Sequence, residues 1–405
     1  MKLKSLIKCC GLITFGLVTS SVMTNVNAEI KIKGSASLEQ RIFLDRPAQP
    51  TYPVNDSYPY PVYHQISAAL SPHIEASSKK NNMVYTAHPF VRIDERDDGR
   101  THIDLREFKA ALVTKKWEAS IGFDQVHWGV MENHHLIDIV NQTDYLESLN
   151  GKDKLGQPMF RLGIDLKGAL LEAMLLVGYR EPALATPGAR FSFDNNYSYE
   201  YAGWGEEYHP DVALRYSKSV KNIDVGVSYF GGHTRTPELR NSAVGNPIWY
   251  VNLVDQISID IKADLNRVTL KGEVLYKLIE DESTRAVVLG AEFSLLQTQN
   301  IGVNLLSEYS WDQHGKKAFD NSFQNDIFAG ARVTLNGLNN SELLIGHNYD
   351  FDFGSQHGFV QAKVNVTKAL SIGIEGWWFN INDDDYANKS YNDDNMIQLT
   401  GYYNF

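Results

Sequence analysis

Three histidines, His127, His134 and His135, fall in one short stretch that also carries Glu132, Asp138 and Asp144. Imidazoles and carboxylates are the ligands that zinc-type ions take. The spacing argues against a single ion. On a strand, neighbouring side chains point to opposite faces, and on a helix His134 and His135 would stand about 100° apart. Loop packing is the better account, and no metal is expected. Two further fragments, Trp311-Asp312-Gln313-His314-Gly315 and Ser355-Gln356-His357-Gly358, set a histidine near an acid or a hydroxyl. Adjacency in sequence does not place a base beside a nucleophile in space. The chain has no G-x-S-x-G, no H-E-x-x-H, no phosphate loop and no dinucleotide fingerprint. No enzyme activity, catalytic residue or cofactor is expected.

The rest of the chain must supply the elements that position these residues. Residues 1–28 read as a cleaved signal peptide. Lys2, Lys4 and Lys8 flank the start of a short apolar stretch, and Val26-Asn27-Ala28 is a small-residue cleavage site. Cys9 and Cys10 leave with it, so the mature region 29–405 has neither a disulfide nor thiol chemistry. The signal takes three lysines and no acid, so 38 basic and 49 acidic residues become 35 and 49, a net of −14. That balance disfavours nucleic acid. No later apolar run reaches the ~18 residues of a transmembrane helix, and no Gly/Ser- or Pro-rich linker marks a domain boundary.

What recurs is a segment of about ten residues with alternating character, which gives a strand one apolar face and one wet face. In Phe160–Lys167 the apolar residues sit at even positions, and in Ile257–Lys262 at odd ones. Trp117–Phe123, Ile223–Tyr229, Ile327–Leu335 and Val360–Thr367 behave likewise. Tight turns are expected at 79–82, 115–116, 168–169, 221–222, 265–267, 299–300, 336–340 and 369–370. Longer connections are expected at 45–63, 131–157, 183–210, 234–249, 314–324 and 382–395. Short and long ends mostly alternate, as in an up-and-down barrel with short periplasmic turns and long outer loops. The fold class is therefore all-β: a closed antiparallel transmembrane β-barrel of about eighteen strands, with sixteen as the alternative. The final strand ends in Phe405, an ending that resembles the signal by which the barrel-assembly machinery recognises outer-membrane barrels. Trp117, Tyr179, Tyr229, Trp311, Trp377 and Tyr403 are candidates for interfacial girdles.

A barrel of that size encloses an aqueous lumen unless loops fold in. The alternation turns Arg92, Arg96, Arg106, Lys109, Arg161 and Lys167 inward, interleaved with Asp94, Asp104, Glu118, Asp124 and Asp165. They form either a transverse field that orients an anion or cross-strand ion pairs that hold the wall, and ion pairing is favoured. The phase slips near Glu107, which implies a bulge. In 183–210, Phe191, Phe193, Tyr197, Tyr199, Tyr201, Trp204 and Tyr208 offer stacking faces for sugar rings, or else pack on one another. In 382–395, Asp383, Asp384, Asp385, Asp393 and Asp394 match no EF-hand spacing and read as a solvated loop rather than a calcium site.

Residues 131–157 are a long excursion with an apolar patch at Leu136, Ile137, Ile139 and Val140, enough for one or two helical turns. This is where a loop is expected to fold inward and narrow the lumen. Asp124, Trp128, Asp138, Asn141 and Asp144 are its constriction candidates. Ile121-Gly122-Phe123-Asp124-Gln125, then Trp128-Gly129, then Leu136-Ile137-Asp138-Ile139-Val140-Asn141-Gln142 and Asp144 resemble a motif of the alginate-export family and related proteobacterial outer-membrane barrels. Gln142 stands where that family more often has proline. The resemblance implies an outer-membrane channel for an acidic polysaccharide or another organic anion. In size the chain also resembles capsule-assembly barrels. The expected function is a porin-like channel for passive passage of small polar or anionic solutes, carbohydrate-derived ones among them. The alternative is a barrel for surface polysaccharide export, assembly or binding, and the third reading is an outer-membrane hydrolase. Expected partners are outer-membrane lipid, lipopolysaccharide, the solute, the assembly machinery and further copies in a homo-oligomer.

Overall fold

The computed structural model describes residues 29–46, 62–78, 80–186, 189–192, 197–242, 245–318, 321–337, 340–385 and 388–405. The expected signal segment, Phe193 and most of 45–63 lie outside them. The strands among the described residues are β1 (Glu29–Phe43), β2 (His64–Ser78), β3 (Met83–Asp94), β4 (His102–Val113), β5 (Trp117–Asp124), β6 (Gln157–Asp165) and β7 (Ala169–Leu176). Next come β8 (Ser198–Tyr201), β9 (Asp211–Val220), β10 (Ile223–His233), β11 (Glu238–Asn241), β12 (Pro247–Val251), β13 (Leu253–Leu265) and β14 (Val268–Ile279). The last are β15 (Glu282–Gln297), β16 (Ile301–Asp312), β17 (Asn325–Leu335), β18 (Ser341–Asp350), β19 (Gln356–Asn365), β20 (Leu370–Asn380) and β21 (Met396–Asn404).

All but β8, β11 and β12 pair in chain order, antiparallel, and β21 returns to β1. The result is a closed eighteen-stranded barrel, the strand number read from the alternation. The seam closes on the chain end: Gly34 N–H donates to Phe405 O (2.9 Å) and Phe405 N–H to Gly34 O (3.0 Å). A Cβ at Gly34 would lie 2.7 Å from Pro72 Cα and 2.9 Å from the Phe405 ring, so the bare backbone is required there. β8, β11 and β12 form a small separate sheet contributed by the connections β7–β9 and β10–β13.

The two-residue period decides which face each side chain takes. On β1, Leu38 and Ile42 are exposed while Glu39, Arg41 and Phe43 are buried on the inner face. Ile93 and Ile103 are 64% and 67% exposed beside buried Arg92 and Asp104. An apolar outer belt with a polar inner face is the arrangement a bilayer selects. The slip near Glu107 is a bulge: His88 pairs with Glu107 and Pro89 with Leu105, leaving Arg106 unmatched. Pro89 lacks the N–H that a continuous ladder would need, which favours the break.

Four expectations are corrected. β6 ends at Asp165, so Lys167 lies in the following turn, exposed and with φ of 59°, not in the lumen. Arg96 falls beyond β3, in the turn to β4, where its N–H donates to Asp94 Oδ1 (2.9 Å). Trp377 is buried on the inner face, and Tyr179 packs on His233 (5.4 Å between rings), so neither belongs to an outer girdle. Trp117, Trp311 and Tyr403 do face outward. The fourth correction is that residues 131–157 contain no helix.

Candidate functional site

The segment between β5 and β6 crosses the lumen and is held by carboxylates on the far wall. Glu273 of β14 accepts the N–H groups of Val130 (2.6 Å), Met131 (3.1 Å) and Ile137 (3.3 Å). Glu308 of β16 accepts those of Glu132 (2.6 Å), Asn133 (3.1 Å) and His134 (3.3 Å). Asn133 and Asn348 of β18 exchange amide hydrogen bonds (2.8 and 3.1 Å), and Glu132 pairs with Arg332 of β17. Buried backbone donors need partners. Here the wall supplies them, which is why the apolar patch forms no helix. Gly129, at φ 109°, makes the close approach possible, since a Cβ there would sit 2.5 Å from Glu273 Oε1.

The near end is braced differently. Val126, Trp128, Ile137 and Val140 pack in one cluster with Met159, Leu176, Ala213 and Phe230 of the inner wall. Trp128 N–H donates to Asp138 Oδ1 (3.0 Å), and Asp138 pairs with Lys154 (3.3 Å). Asn141 accepts from Val126 N–H (2.9 Å) and donates to the carbonyls of Asp124 and Leu155 (2.9 Å each). Trp128, Asp138 and Asn141 are thus braces of the crossing segment, with Trp128 in the core. Asp144 is fully buried 3.5 Å from Arg106 Nη2, and burial together with Glu147 pushes its carboxyl up to about 7.

The inward bases do come together, each answered by carboxylates. Arg92 grips Glu147 with two bonds (2.7 and 2.6 Å) and reaches Glu39 (3.2 Å). Arg106 pairs with Asp153 (3.2 Å), and Lys109 with Glu107 (2.8 Å) and Asp124 (2.5 Å). Arg161 donates to Glu172 (3.1 Å) and lies 3.6 Å from Asp124. Glu118 and Asp165 are exposed at the turn end of the wall.

The three histidines diverge. His127 is exposed, its Nε2 3.3 Å from Lys152 O. His134 Nδ1 meets Ser310 Oγ (3.0 Å) and its ring packs on Phe323 (4.8 Å). Burial pushes His134 down to about 3 and His135 down to about 4, from 6.5. Both rings are therefore neutral in the fold. Their contribution to loop stability is complete above pH 6.5 and is lost as the pH falls toward these lowered values. Proteolysis of the segment in micelles should quicken from pH 7 to pH 5, and in a His134→Gln/His135→Gln variant it should stay constant over that interval.

Two groups among the described residues bring three ligand-type atoms within 4.8 Å: His102, Asp144 and Glu147, and His209, Asp211 and His233. Arginines already engage them: Arg92 bonds Glu147 and Arg235 bonds Asp211 (3.1 Å). The fragments with candidate bases separate. His314 Nε2 meets Thr284 Oγ1 (3.0 Å), Ser355 Oγ accepts from Asn382 N–H (3.1 Å), and His357 stacks on Phe379. Much of the aromatic loop packs on itself and its neighbours. Tyr199 stacks on Tyr201, Tyr197 meets Trp249, and Phe191 packs on Phe43 and Tyr391. In the acidic loop, Asp385 accepts from Asn388, Asp394 pairs with Arg190 (2.9 Å) and Asp383 with Lys389 (2.9 Å).

Two cavities border the crossing segment, and Asn150 lines both. The outer vestibule is a cavity of about 320 Å³. Its lining carries Lys152, Lys154, Arg235 and Lys277 with Glu132 and Asp138; Lys152 pairs with Glu132, Lys154 with Asp138 and Arg235 with Asp211. The inner compartment, about 290 Å³, is lined by Arg92, Arg106, Glu39, Glu147, Asp153 and Glu375, with Arg41 and Arg100 paired to Glu39 behind it. The sequence reading missed the anchors Glu273 and Glu308, which look like any inward polar residue. It also missed an apolar stripe on the inner wall: Leu306, Phe328, Leu344, Phe359, Trp377 and Met396. The run Trp377-Trp378-Phe379 breaks the alternation and was its available signal.

No family model matches the chain, and no curated protein matches it. The alginate-export resemblance rests on the residues quoted for it. Solved structures do match. OccAB1 of Acinetobacter baumannii superposes with a TM-score of 0.55 at 9% identity, covering 93% of this chain and 96% of that one. A BenF-like porin from Pseudomonas fluorescens Pf-5 gives 0.54 at 7%, covering 94% and 98%. Wzi, an outer-membrane carbohydrate-binding β-barrel involved in group 1 capsule assembly in Escherichia coli, gives 0.52 at 11%, covering 91% and 84%. At these identities what is shared is architecture, and on that ground the chain has the fold of the bacterial outer-membrane β-barrels.

Proposed function

We propose that the chain is a passive outer-membrane channel for small polar and anionic solutes, which enter through the outer vestibule. The observation that carries this reading is the segment 125–156, tied across the lumen to Glu273 and Glu308, with a cavity on either side of it. Pore selection by lining charge and width needs no chemistry and no cofactor. The paired arginines of β3, β4 and β6 act in this reading as wall ties, and Lys152, Lys154, Arg235 and Lys277 are the cations that line the vestibule a solute crosses first. Lipid and lipopolysaccharide surround the apolar belt, and the assembly machinery reads the Phe405 seam.

Planar-bilayer recording tests it. Small discrete steps are expected, with anion preference across a KCl gradient and currents that differ with the sign of the voltage. Absence of any resolved conductance, even after deletion of 132–151, would refute the channel. The second reading, a polysaccharide-handling barrel, is favoured by the small sheet of β8, β11 and β12, which carries Tyr199, Tyr201, Trp249 and Tyr250. Loss of surface polysaccharide in a deletion strain would support it.

A further inference from the structure

We infer that the short-turn rim of the barrel, along the arc from β2 to β14, binds the headgroups of anionic phospholipids in the periplasmic leaflet. Eight short turns close that end, joining β2 to β3, β4 to β5, β6 to β7, β9 to β10, β13 to β14, β15 to β16, β17 to β18 and β19 to β20. None of them contains an aspartate or a glutamate, in a chain whose acids outnumber its bases 49 to 38. Lys80, Lys115, Lys116, Lys167, Lys221 and Arg267 fall in the first five turns, which lie side by side round the barrel. The next two, 298–300 and 336–340, carry no charge, and Lys368 is in the eighth. All seven bases are exposed, and none forms an ion pair among the described residues. The lumen is built the other way, with Arg92, Arg106 and Arg161 each answered by carboxylates. Acids do stand near the arc, at Glu118, Asp165, Asp224 and Asp264, but on strands. Each adjoins an outward apolar side chain, Trp117, Leu166, Ile223 or Leu265, so the two-residue period turns it to the lumen face. The turns themselves keep bases alone.

Turn geometry does not account for these lysines. Lys167 and Lys221 have φ of 59° and 56°, a left-handed conformation that asparagine and glycine adopt more readily. Asn82 and Asn266 take it in two other turns of the arc. The occupant must meet a line of charge at bilayer depth. Lys116, Lys167, Lys221 and Arg267 lie one or two residues from the exposed side chains of Trp117, Leu166, Val220 and Leu265. A strand rises about 3.3 Å per residue, so these charges stand just past the apolar belt, where lipid phosphates lie. Adjacent strands are about 4.8 Å apart, so the five turns spread their charge over roughly 40 Å of curved edge. A folded acidic partner is met best by a compact patch, whereas a row of lipids follows such an edge. The attraction of basic groups to an anionic leaflet accumulates group by group and is screened by salt. This inference rests on the barrel lying in a bilayer and not on conduction, so a barrel that never conducts leaves it standing.

The test uses the full-length barrel refolded into phosphatidylcholine vesicles that carry a trace of spin-labelled phosphatidylglycerol or spin-labelled phosphatidylcholine. Electron spin resonance reads the fraction of each label immobilised at the protein. Phosphatidylglycerol should associate several-fold more strongly than phosphatidylcholine at low salt, and molar salt should remove the difference. A variant combining Lys80→Gln, Lys115→Gln, Lys116→Gln, Lys167→Gln, Lys221→Gln and Arg267→Gln should lose the preference. Because these side chains pair with nothing, that variant should keep the heat-modifiable gel migration of a folded barrel. Lys316→Gln/Lys317→Gln, at the opposite end, should leave the preference intact. Equal association of the two lipids with the folded wild-type barrel would overturn the inference. So would a preference that survives the six substitutions, or one that Lys316→Gln/Lys317→Gln lowers as much. Binding of soluble polyglutamate through the rim, with no lipid preference, would assign the arc to an acidic periplasmic partner and refute the lipid.

Discussion

Replacing Glu273 and Glu308 together by alanine should raise single-channel conductance several-fold without opening the barrel wall. Each carboxylate accepts three backbone N–H groups of the crossing segment. A hydrogen bond to a charged acceptor contributes about 1.5–3 kcal/mol net. Six of them would sum to about 9–18 kcal/mol if additive, and neighbouring bonds are not fully additive. Even half that amount would rival what holds a whole domain together, about 5–15 kcal/mol. The orphaned donors would then seek water, and the segment would leave the far wall. The strand ladders of β14 and β16 use backbone groups that neither substitution touches. Glu273→Gln/Glu308→Gln should fall between, because an amide oxygen accepts fewer and weaker bonds than a carboxylate. Unchanged conductance in the double alanine variant, with its loop still protected from protease, would show that the apolar contacts of Trp128, Ile137 and Val140 alone hold the crossing.

The wall was legible in the sequence because a strand has a fixed two-residue period, and lipid on one side with polar groups on the other impose it directly on composition. Even the bulge at Arg106 showed as a slip of phase. Strand ends were less legible. Lys167 and Arg96 each continue the inward parity of their strands but fall just past the last ladder bond. Parity carries no information about where pairing stops. The crossing segment was visible as an apolar run in a place where a solvated loop would have none. Its anchors were not, because Glu308 lies 176 residues from Glu132 and nothing local marks it. Trp377 shows the opposite failure. An aromatic near a strand end fits a girdle as well as a lumen wall, and only its immediate neighbours, Trp378 and Phe379, betray that both faces are aromatic there.

Arg92→Ala should destabilise the folded barrel by about 3–5 kcal/mol, the usual cost of leaving a buried charge without its partner. Arg92 and Glu147 are each almost fully buried, joined by two short bonds, and Arg92 also donates to Ser67 (2.6 Å) and reaches Glu39. Arg41 and Arg100 still neutralise Glu39 after the substitution (3.2 and 2.9 Å), so the orphan is Glu147. Burial pushes Glu147 up, and Arg92, with lesser help from Arg100 and His102, more than offsets that and holds it below its ordinary range. Removing Arg92 should reverse that balance, so the variant should take up a proton at Glu147 and lose most stability at neutral pH and above. Lysine should not rescue it, since a point charge cannot reproduce the fork. Arg92→Met combined with Glu147→Met should recover much of the loss, because an apolar pair often replaces a buried ion pair at little cost. Denaturant titration in micelles reads all three variants. The same pair separates a wall tie from a solute track. If Arg92 draws anions, the double methionine variant will regain stability yet shift the reversal potential toward cations. If it is a tie, the potential will stay where it was, since the pair removed carries no net charge.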